Sequence, residues 1–517
     1  MNAFVEILEQ LVASTPAPIW RGQPHFPFRE LTEPKGTLFD LILLHQTAQG
    51  AIGMIWIAFE NCDRLLCFPV RLSRFQLDGD IFSILPWSYR DATTDPEFFE
   101  KWKESVRQTP TLVTHRQHYL KYKSFRGRKS GVALGLAMCP ESSMVRVEMH
   151  SNYKFYRVLK LPPQSQVEYS MLRFLTEKSS FSGFAALGDA LEYTLASGQS
   201  TPVAIGTQYV QYDMTLWIRI LNLFNALNHP NLSSLAREKT QNEIQNLVQM
   251  SARILGHFHR EMTHPKEESL IAPERNAFPL KREWMDRTKK HAFQLVYLLG
   301  FHVETVPELS HLMGSVEDLL NEIFTRLSQE LDLGLVIRLH GKLHLGQMLI
   351  RKNKLFLSGF FSGSQNPGST FFEMKQPAYL DVSSLLLSYR FAWFLSKGKQ
   401  IPFGWKSGND VEEHLVMFNR YFGDVGKANS SLDAMALEWN AWEALFLKTY
   451  HNVIMEDAQG AELLPVANEI RGQLWNLCQM IHMMSELKND LVSQNPRYQL
   501  TIWLLNELVR QNLGGTA

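Results

Sequence analysis

Apolar positions change their period several times along the chain. Residues 1–18, MNAFVEILEQLVASTPAP, space their apolar side chains as an amphipathic helix does. A Pro-rich passage, PAPIWRGQPHFPFRE, then marks a connection. Four apolar runs follow: TLFDLILLHQ, GAIGMIWIAFE, RLLCFPVRLS and DIFSILPW. Their separators TAQG, ENCD and QLDGD read as turns, which predicts a meandering antiparallel sheet. DPEFFEKWKESVRQ returns to helical spacing at Phe98, Phe99, Trp102 and Val106, closing a small α+β domain near residue 130.

A second sheet is expected from about residue 132. MVRVEMHS and KFYRVLKL alternate well enough to form a hairpin around Ser151 and Asn152. A helix at about 164–177 and a strand at 203–210 follow, and QYDM leads into the helix TLWIRILNLFNAL. The remainder is mostly helical. Residues 240–262 carry Ile244, Leu247, Val248, Leu255 and Phe258 on one face, and 284–300, 315–332, 379–397, 431–450 and 463–490 show similar patterns. One β island interrupts them, with MLI and LFL flanking the polar turn RKNK.

Composition narrows the function classes. The chain has 517 residues, 52 Lys plus Arg against 52 Asp plus Glu, and a globular 45% of hydrophobic residues. A neutral chain lacks the electrostatic footprint of a general nucleic-acid binder. No stretch offers about 18 clean apolar residues, so no membrane partner is expected. The N-terminal pattern is not that of a signal peptide. Cys62, Cys67, Cys139 and Cys478 are scattered, with no CxxC, which fits a reducing, cytoplasmic setting. The basic run Lys121 to Gly131 reads as a solvated loop between domains. His257 and His259 point to different faces of one helix and read as structural, and Trp217, Trp393, Trp439 and Trp442 read as core.

RLHGKLHLGQMLI (338–350) resembles the catalytic segment R-I-H-G-D-x-H-L-G-Q-V-L of bacterial maltokinases, in the aminoglycoside-phosphotransferase-like group of the kinase superfamily. PAYLDVSSLLLSYRFA (377–392) is similar to the helix that follows in that family, and ELKNDLVSQNPRYQLTIWLLNEL (486–508) to its C-terminal motif. YRVLKL, RFLTE and DPEFFEKW extend the resemblance toward the N-terminus. It implies an α+β fold class: an N-terminal cap domain (1–130), a kinase-like sheet lobe (131–213) and a mostly helical lobe (214–517) holding the catalytic loop, 338–364. It also implies ATP as nucleotide, with Lys160 on the phosphates, Glu168 orienting that Lys and Ser143 in the phosphate-covering loop PESSM (140–144). His340, Gly341 and His344 form the loop framework, and maltose or a related glucan is the implied ligand. An enzyme of trehalose, maltose or glycogen metabolism is the implied partner.

The departures fall on the chemistry. Where the family has the Asp that accepts the substrate hydroxyl's proton, this chain has Lys342, three donors and no acceptor. Where D-F-E-G-E-P holds the metal, this chain has GFFSGS: Gly359 replaces the Asp, and Phe361 and Gly363 replace the two Glu. Gln347 persists at the other metal-contacting position, but one neutral amide is a poor Mg²⁺ site. The expectation is a maltokinase-like pseudokinase with a regulatory or binding role. One alternative is an active maltokinase making maltose 1-phosphate with acids such as Glu373 or Asp381. The other is a purely structural protein whose cleft is empty, or filled by Phe360 or Phe361.

Overall fold

The computed structural model describes residues 2–17, 34–60, 65–74, 82–84, 87–91, 97–98, 101–102, 104–105, 111–124, 132–139, 142–149, 152–158, 166–208, 210–229, 231–267, 269–341, 343–360, 374–397, 429–495 and 497–513. Two compact units emerge, one within residues 1–211 and the other within 212–361 and 370–517.

The first unit begins with α1 (Asn2–Ser14), whose Val5, Leu8, Leu11 and Val12 are buried. They pack on an antiparallel sheet of order β1-β2-β3-β5-β4, formed by Gly36–Thr47, Gly50–Phe59, Leu65–Ser73, Trp87–Asp91 and Phe82–Ile84. Both faces of β2 are covered, which is why its sequence is continuously apolar rather than alternating. Leu41, Ile55, Ile57 and Val70 meet α1, while Ile52, Met54, Trp56 and Cys67 meet Leu120, Leu191, Tyr193 and Val203 of a second sheet. Asp40, an acid inside an apolar strand, is tolerated there because its carboxylate is saturated. It accepts from the hydroxyls of Thr114 (2.6 Å) and Tyr193 (2.7 Å) and from the N–H groups of Leu41 and Arg116.

That second sheet has seven antiparallel strands: β6 (Thr111–Val113), β7 (Tyr119–Ser124), β11 (Leu187–Thr194), β12 (Ser200–Gln208), β10 (Asn152–Val158), β9 (Ser142–Met149) and β8 (Val132–Cys139), in that spatial order. The expected hairpin is present, with Asn152 opposite Met149. Strands from both sides of residue 130 share this sheet, because β7 pairs with β11. Lys121 and Lys123, expected in a loop, therefore lie on a strand, and Lys123 pairs with Glu192 at 2.8 Å. Helix α2 (Gln166–Glu177) is fastened by Tyr169, whose hydroxyl donates to Glu192 (2.6 Å).

The second unit is built on long helices. Thr215 and Ser233 cap the N-termini of α3 (Leu216–Leu227) and α4 (Ser234–Glu261) through their side-chain oxygens. Next come α5 (Leu280–Gly300), α6 (Glu308–Gln329), α7 (Tyr379–Lys397), α8 (Asn429–Ile454), α9 (Asn468–Val492) and α10 (Tyr498–Leu513). The expected face of α4 is buried, and Trp393, Trp439 and Trp442 are core. Two small sheets complete the unit. The first joins β13 (Met214–Thr215), β16 (Met348–Arg351) and β17 (Lys354–Leu357). The second joins β14 (Glu274–Ala277), β15 (Asp332–Ile337) and β18 (Gln376–Pro377). At the β16–β17 turn Lys352 and Asn353 adopt positive φ (45° and 60°), as a two-residue hairpin requires.

Candidate functional site

β15 delivers the chain into the segment that starts at Arg338, and α7 supports that segment from its first turn. Asp381, two residues into α7, is 2% exposed. Its Oδ2 accepts the backbone N–H of His340 (2.7 Å) and its Oδ1 that of Gly341 (3.0 Å). Gly341 sits at φ 86°, the left-handed region that glycine enters without penalty. Further along α7, Ser384 donates to the carbonyl of Leu343 (2.7 Å), and Ser388 accepts the N–H of Leu345 (3.1 Å). The loop is thus hydrogen-bonded to α7 on both sides of position 342.

His259, fully buried on α4, reaches the same carboxylate with Nε2 (3.2 Å) and the Tyr450 hydroxyl of α8 with Nδ1 (2.9 Å). A carboxylate only accepts, so Nε2–H donates to Asp381 and Tyr450 donates to Nδ1. Burial raises the Tyr450 hydroxyl well above its ordinary value, which keeps it a donor. Burial alone would raise Asp381 too, but the hydrogen bonds it accepts, that of His259 first and that of the Gly341 N–H with it, outweigh burial and hold the carboxyl below its usual range. Asp381 is therefore an ionised anchor whose oxygens are turned to the loop and to α4.

His340 is also buried. Its Nε2 lies 2.9 Å from the carbonyl of Ser358, which obliges that nitrogen to carry the proton, and among the described residues Nδ1 has no partner. Burial lowers the His340 pKa and keeps the ring neutral. Phe360 packs against it at 4.8 Å and against Phe258 at 5.4 Å. Phe360 is thus core of the second unit; Phe361 lies outside the described residues. His344 accepts the Gly346 N–H (3.0 Å) with Nδ1, and the Gln347 carbonyl accepts from the N–H (2.9 Å) and hydroxyl (3.0 Å) of Ser358.

The Ser358 contacts bring Gln347 beside Gly359. Gly359 adopts φ 70°, and a Cβ there would lie 2.8 Å from the Gln347 side-chain carbonyl carbon and closer still to its Oε1. Gln347 thus spreads its amide over the position from which the resemblance expects a metal-holding carboxylate. Asp381 has committed its oxygens to N–H donors. Among the described residues no group of three His, Cys, Asp or Glu is placed to hold a metal ion. Among the described residues beside Gly359, the Gln347 amide offers a single neutral oxygen, fewer hard donors than a divalent cation takes.

Other expected site residues fall elsewhere. Lys342, Lys160 and Glu373 lie outside the described residues. Ser143 belongs to β9, opposite Val158. Glu168 lies in the first turn of α2 and is 5% exposed, so it is a buried acid and not a solvated one. His259 was expected to be merely structural. Its position on the buried face with Leu255 and Phe258 was legible, but nothing in the sequence points from it to Asp381 across 122 residues.

No protein-family model matches the chain, and no curated protein matches it. Solved structures do. A glucosamine kinase in complex with glucosamine, ADP and inorganic phosphate is 14% identical, with a TM-score of 0.59 over 97% of this chain and 98% of its own. Two other crystal forms of glucosamine kinase give TM-scores of 0.60, at 14% and 13% identity, again over 97% of this chain. The shared property is the fold. This chain has a kinase-like fold, and among the described residues no helix is long and apolar enough to cross a membrane.

Proposed function

We propose that this chain is a kinase-fold protein that has kept a binding role toward a sugar-class small molecule and has lost phosphoryl transfer. The observation that carries the reading is the pairing of Gly359 with Gln347: an amide lies over the backbone position where a metal-holding carboxylate would stand. Phosphoryl transfer relies on positioning and on metal ions that neutralise the developing charge, with a carboxylate to receive the hydroxyl proton. In this chain the loop position for that carboxylate is Lys342. Asp381 is a poor substitute, because it is 2% exposed and both its oxygens are engaged by N–H donors of the loop and of His259.

The sugar-class ligand is supported by the kinase-like fold together with the resemblance of residues 338–350, 377–392 and 486–508 to maltokinases. Maltose and glucosamine are the first candidates, and a partner enzyme of trehalose, maltose or glycogen metabolism belongs to the same proposal. Lys160, Glu168 and Ser143 are the proposed contacts on the nucleotide side.

Purified protein incubated for hours at high concentration with ATP, Mg²⁺ and either maltose or glucosamine should form no sugar phosphate detectable by phosphorus NMR. Turnover clearly above that of a Lys160→Ala variant overturns the reading and makes Glu373 the next residue to substitute.

A further inference from the structure

In the second unit, the first turns of α5 meet β14 and the end of β15 around a cavity of about 300 Å³. That volume lies at the small end of the range for small-molecule sites and is far more than an ordered water or two would fill. Its lining falls into two halves. Leu270, Leu280, Val336 and Met374 give an apolar wall, completed by Trp284. Trp284 is 4% exposed, and its indole N–H donates to the Gln376 side-chain carbonyl (3.0 Å), so the ring is held in one orientation.

Charged groups make the other half: Arg287, Arg338 and Lys375 against Glu274 and Glu283. Each is already engaged. Lys375, 7% exposed, pairs with Glu274 and donates to the Ser269 carbonyl (2.8 Å). Arg287 pairs with Glu283 across one turn of α5 (2.6 Å), and Arg338 donates through Nε to the Leu270 carbonyl (2.8 Å). These pairs cancel most of the charge, yet they leave donors and acceptors side by side, since a guanidinium has several N–H groups and a carboxylate several lone pairs. An anionic ligand would meet the two carboxylates, and a cationic one the three basic groups. A neutral ring bearing several hydroxyls meets neither penalty. Each hydroxyl can donate to a carboxylate or accept from a guanidinium, and the C–H face of the ring suits the indole.

We propose that this cavity binds a neutral sugar ring, a free hexose or the end of a short glucan, at a place apart from the phosphotransfer loop. Of the described residues in 338–360, Arg338 alone lines the cavity. The inference rests on the reading of the chain as a binder of a sugar-class small molecule; it adds where the sugar sits and that it is uncharged.

Titration calorimetry with glucose, maltose and glucose 6-phosphate, each without ATP, tests the ligand, and hydrogen exchange with and without maltose tests the place. Glucose or maltose should bind, and glucose 6-phosphate should bind no more tightly than glucose. Maltose should slow exchange in residues 269–287 and leave 340–359 unchanged. Glu283 and Arg287 are exposed, so their substitution by Ala leaves the core intact. Glu283→Ala and Arg287→Ala should each weaken binding about tenfold, the scale of one lost charge-assisted hydrogen bond. Leu280→Trp, which fills the cavity, should abolish binding, with thermal melts identifying a variant that fails to fold. Three outcomes overturn the proposal while leaving the chain a sugar binder: binding unchanged in folded Arg287→Ala and Leu280→Trp variants, protection confined to 340–359, or tighter binding of glucose 6-phosphate than of glucose. No binding of either glucose or maltose overturns the proposal together with the broader reading.

Discussion

Asp381 concentrates several interactions in one side chain. Two backbone N–H groups and one imidazole N–H converge on its carboxylate in a fully buried setting. Replacing it with Ala strands all three donors away from water, and losses from breaking such buried charged networks run to about 3–5 kcal/mol. Asp381→Ala should therefore lower the stability of the second unit by that order in denaturant titration, and Asp381→Asn by less. Tyr450→Phe removes one donor and leaves His259 Nδ1 bare, for an expected loss of about 1–2 kcal/mol. A variant at 381 that keeps its full stability would show that the loop finds its shape without the anchor. The sequence singled out Asp381 because it is acidic and close to the altered loop. What it could not convey is direction: a carboxylate that serves as a base and one that braces a loop are the same letter, and only the N–H groups facing it distinguish them.

At the scale of elements, the join between α9 and α10 carries a comparable commitment. Arg497 donates to both oxygens of Asp490 (2.7 and 2.9 Å) and to Glu486 (2.5 Å), with its guanidinium 4.3 Å from the centre of the Phe391 ring on α7. Burial pushes the Asp490 carboxyl up, and Arg497 opposes it without fully cancelling the effect. Arg497→Ala leaves Asp490 buried with no counter-charge, and the expected cost is about 3–5 kcal/mol at neutral pH. The cost should shrink in acid, where Asp490 takes a proton and no longer needs the guanidinium. Arg497→Lys should recover only part of it, since an ammonium cannot make the two-pronged contact or the stack. Equal destabilisation at pH 4 and pH 7 would show that Arg497 matters for packing alone. Elements with a strong period were legible: α7 spans the expected 379–397, and the β16–β17 hairpin forms around its polar turn. β11 was not, because Asp189 and Glu192 interrupt its apolar run. Both are buried, and hydroxyls of Tyr122 and Tyr169 far away in sequence satisfy them. β14, β15 and β18 pair over too few residues to leave a period at all.

At the scale of the whole molecule the two units should respond differently to acid. His257, His291, His340, His451 and His482 all belong to the second unit, and burial lowers the pKa of each, His291 to about 4. A histidine kept neutral by the fold takes up its proton only on unfolding, so below about pH 6.5 the unfolded chain binds more protons and stability must fall as pH falls. For His291 the loss runs from about 6.5 down to about 4. In the first unit Glu192 is the shifted acid. Burial would raise it, but Lys123, Tyr169 and Ser200 together hold it below its ordinary value. Its contribution is present above the carboxylate range and disappears only as pH drops through that range. Calorimetry at pH 7.5 and pH 5, with hydrogen exchange assigning each transition, should show the second unit's midpoint moving down while the first unit's moves much less. His291→Phe should flatten the second unit's dependence by about one proton between pH 6.5 and 4. If both midpoints moved together, the two units would be unfolding as one and the separation of their titrating groups would have no thermodynamic expression. If only the second moved, mild acid would become a means of loosening the unit that carries the loop while leaving the sheets of the first unit folded. Ligand binding measured across the same pH range would then report on the loop's anchor at Asp381, because a bound ligand raises the midpoint of the unit that holds it and of no other.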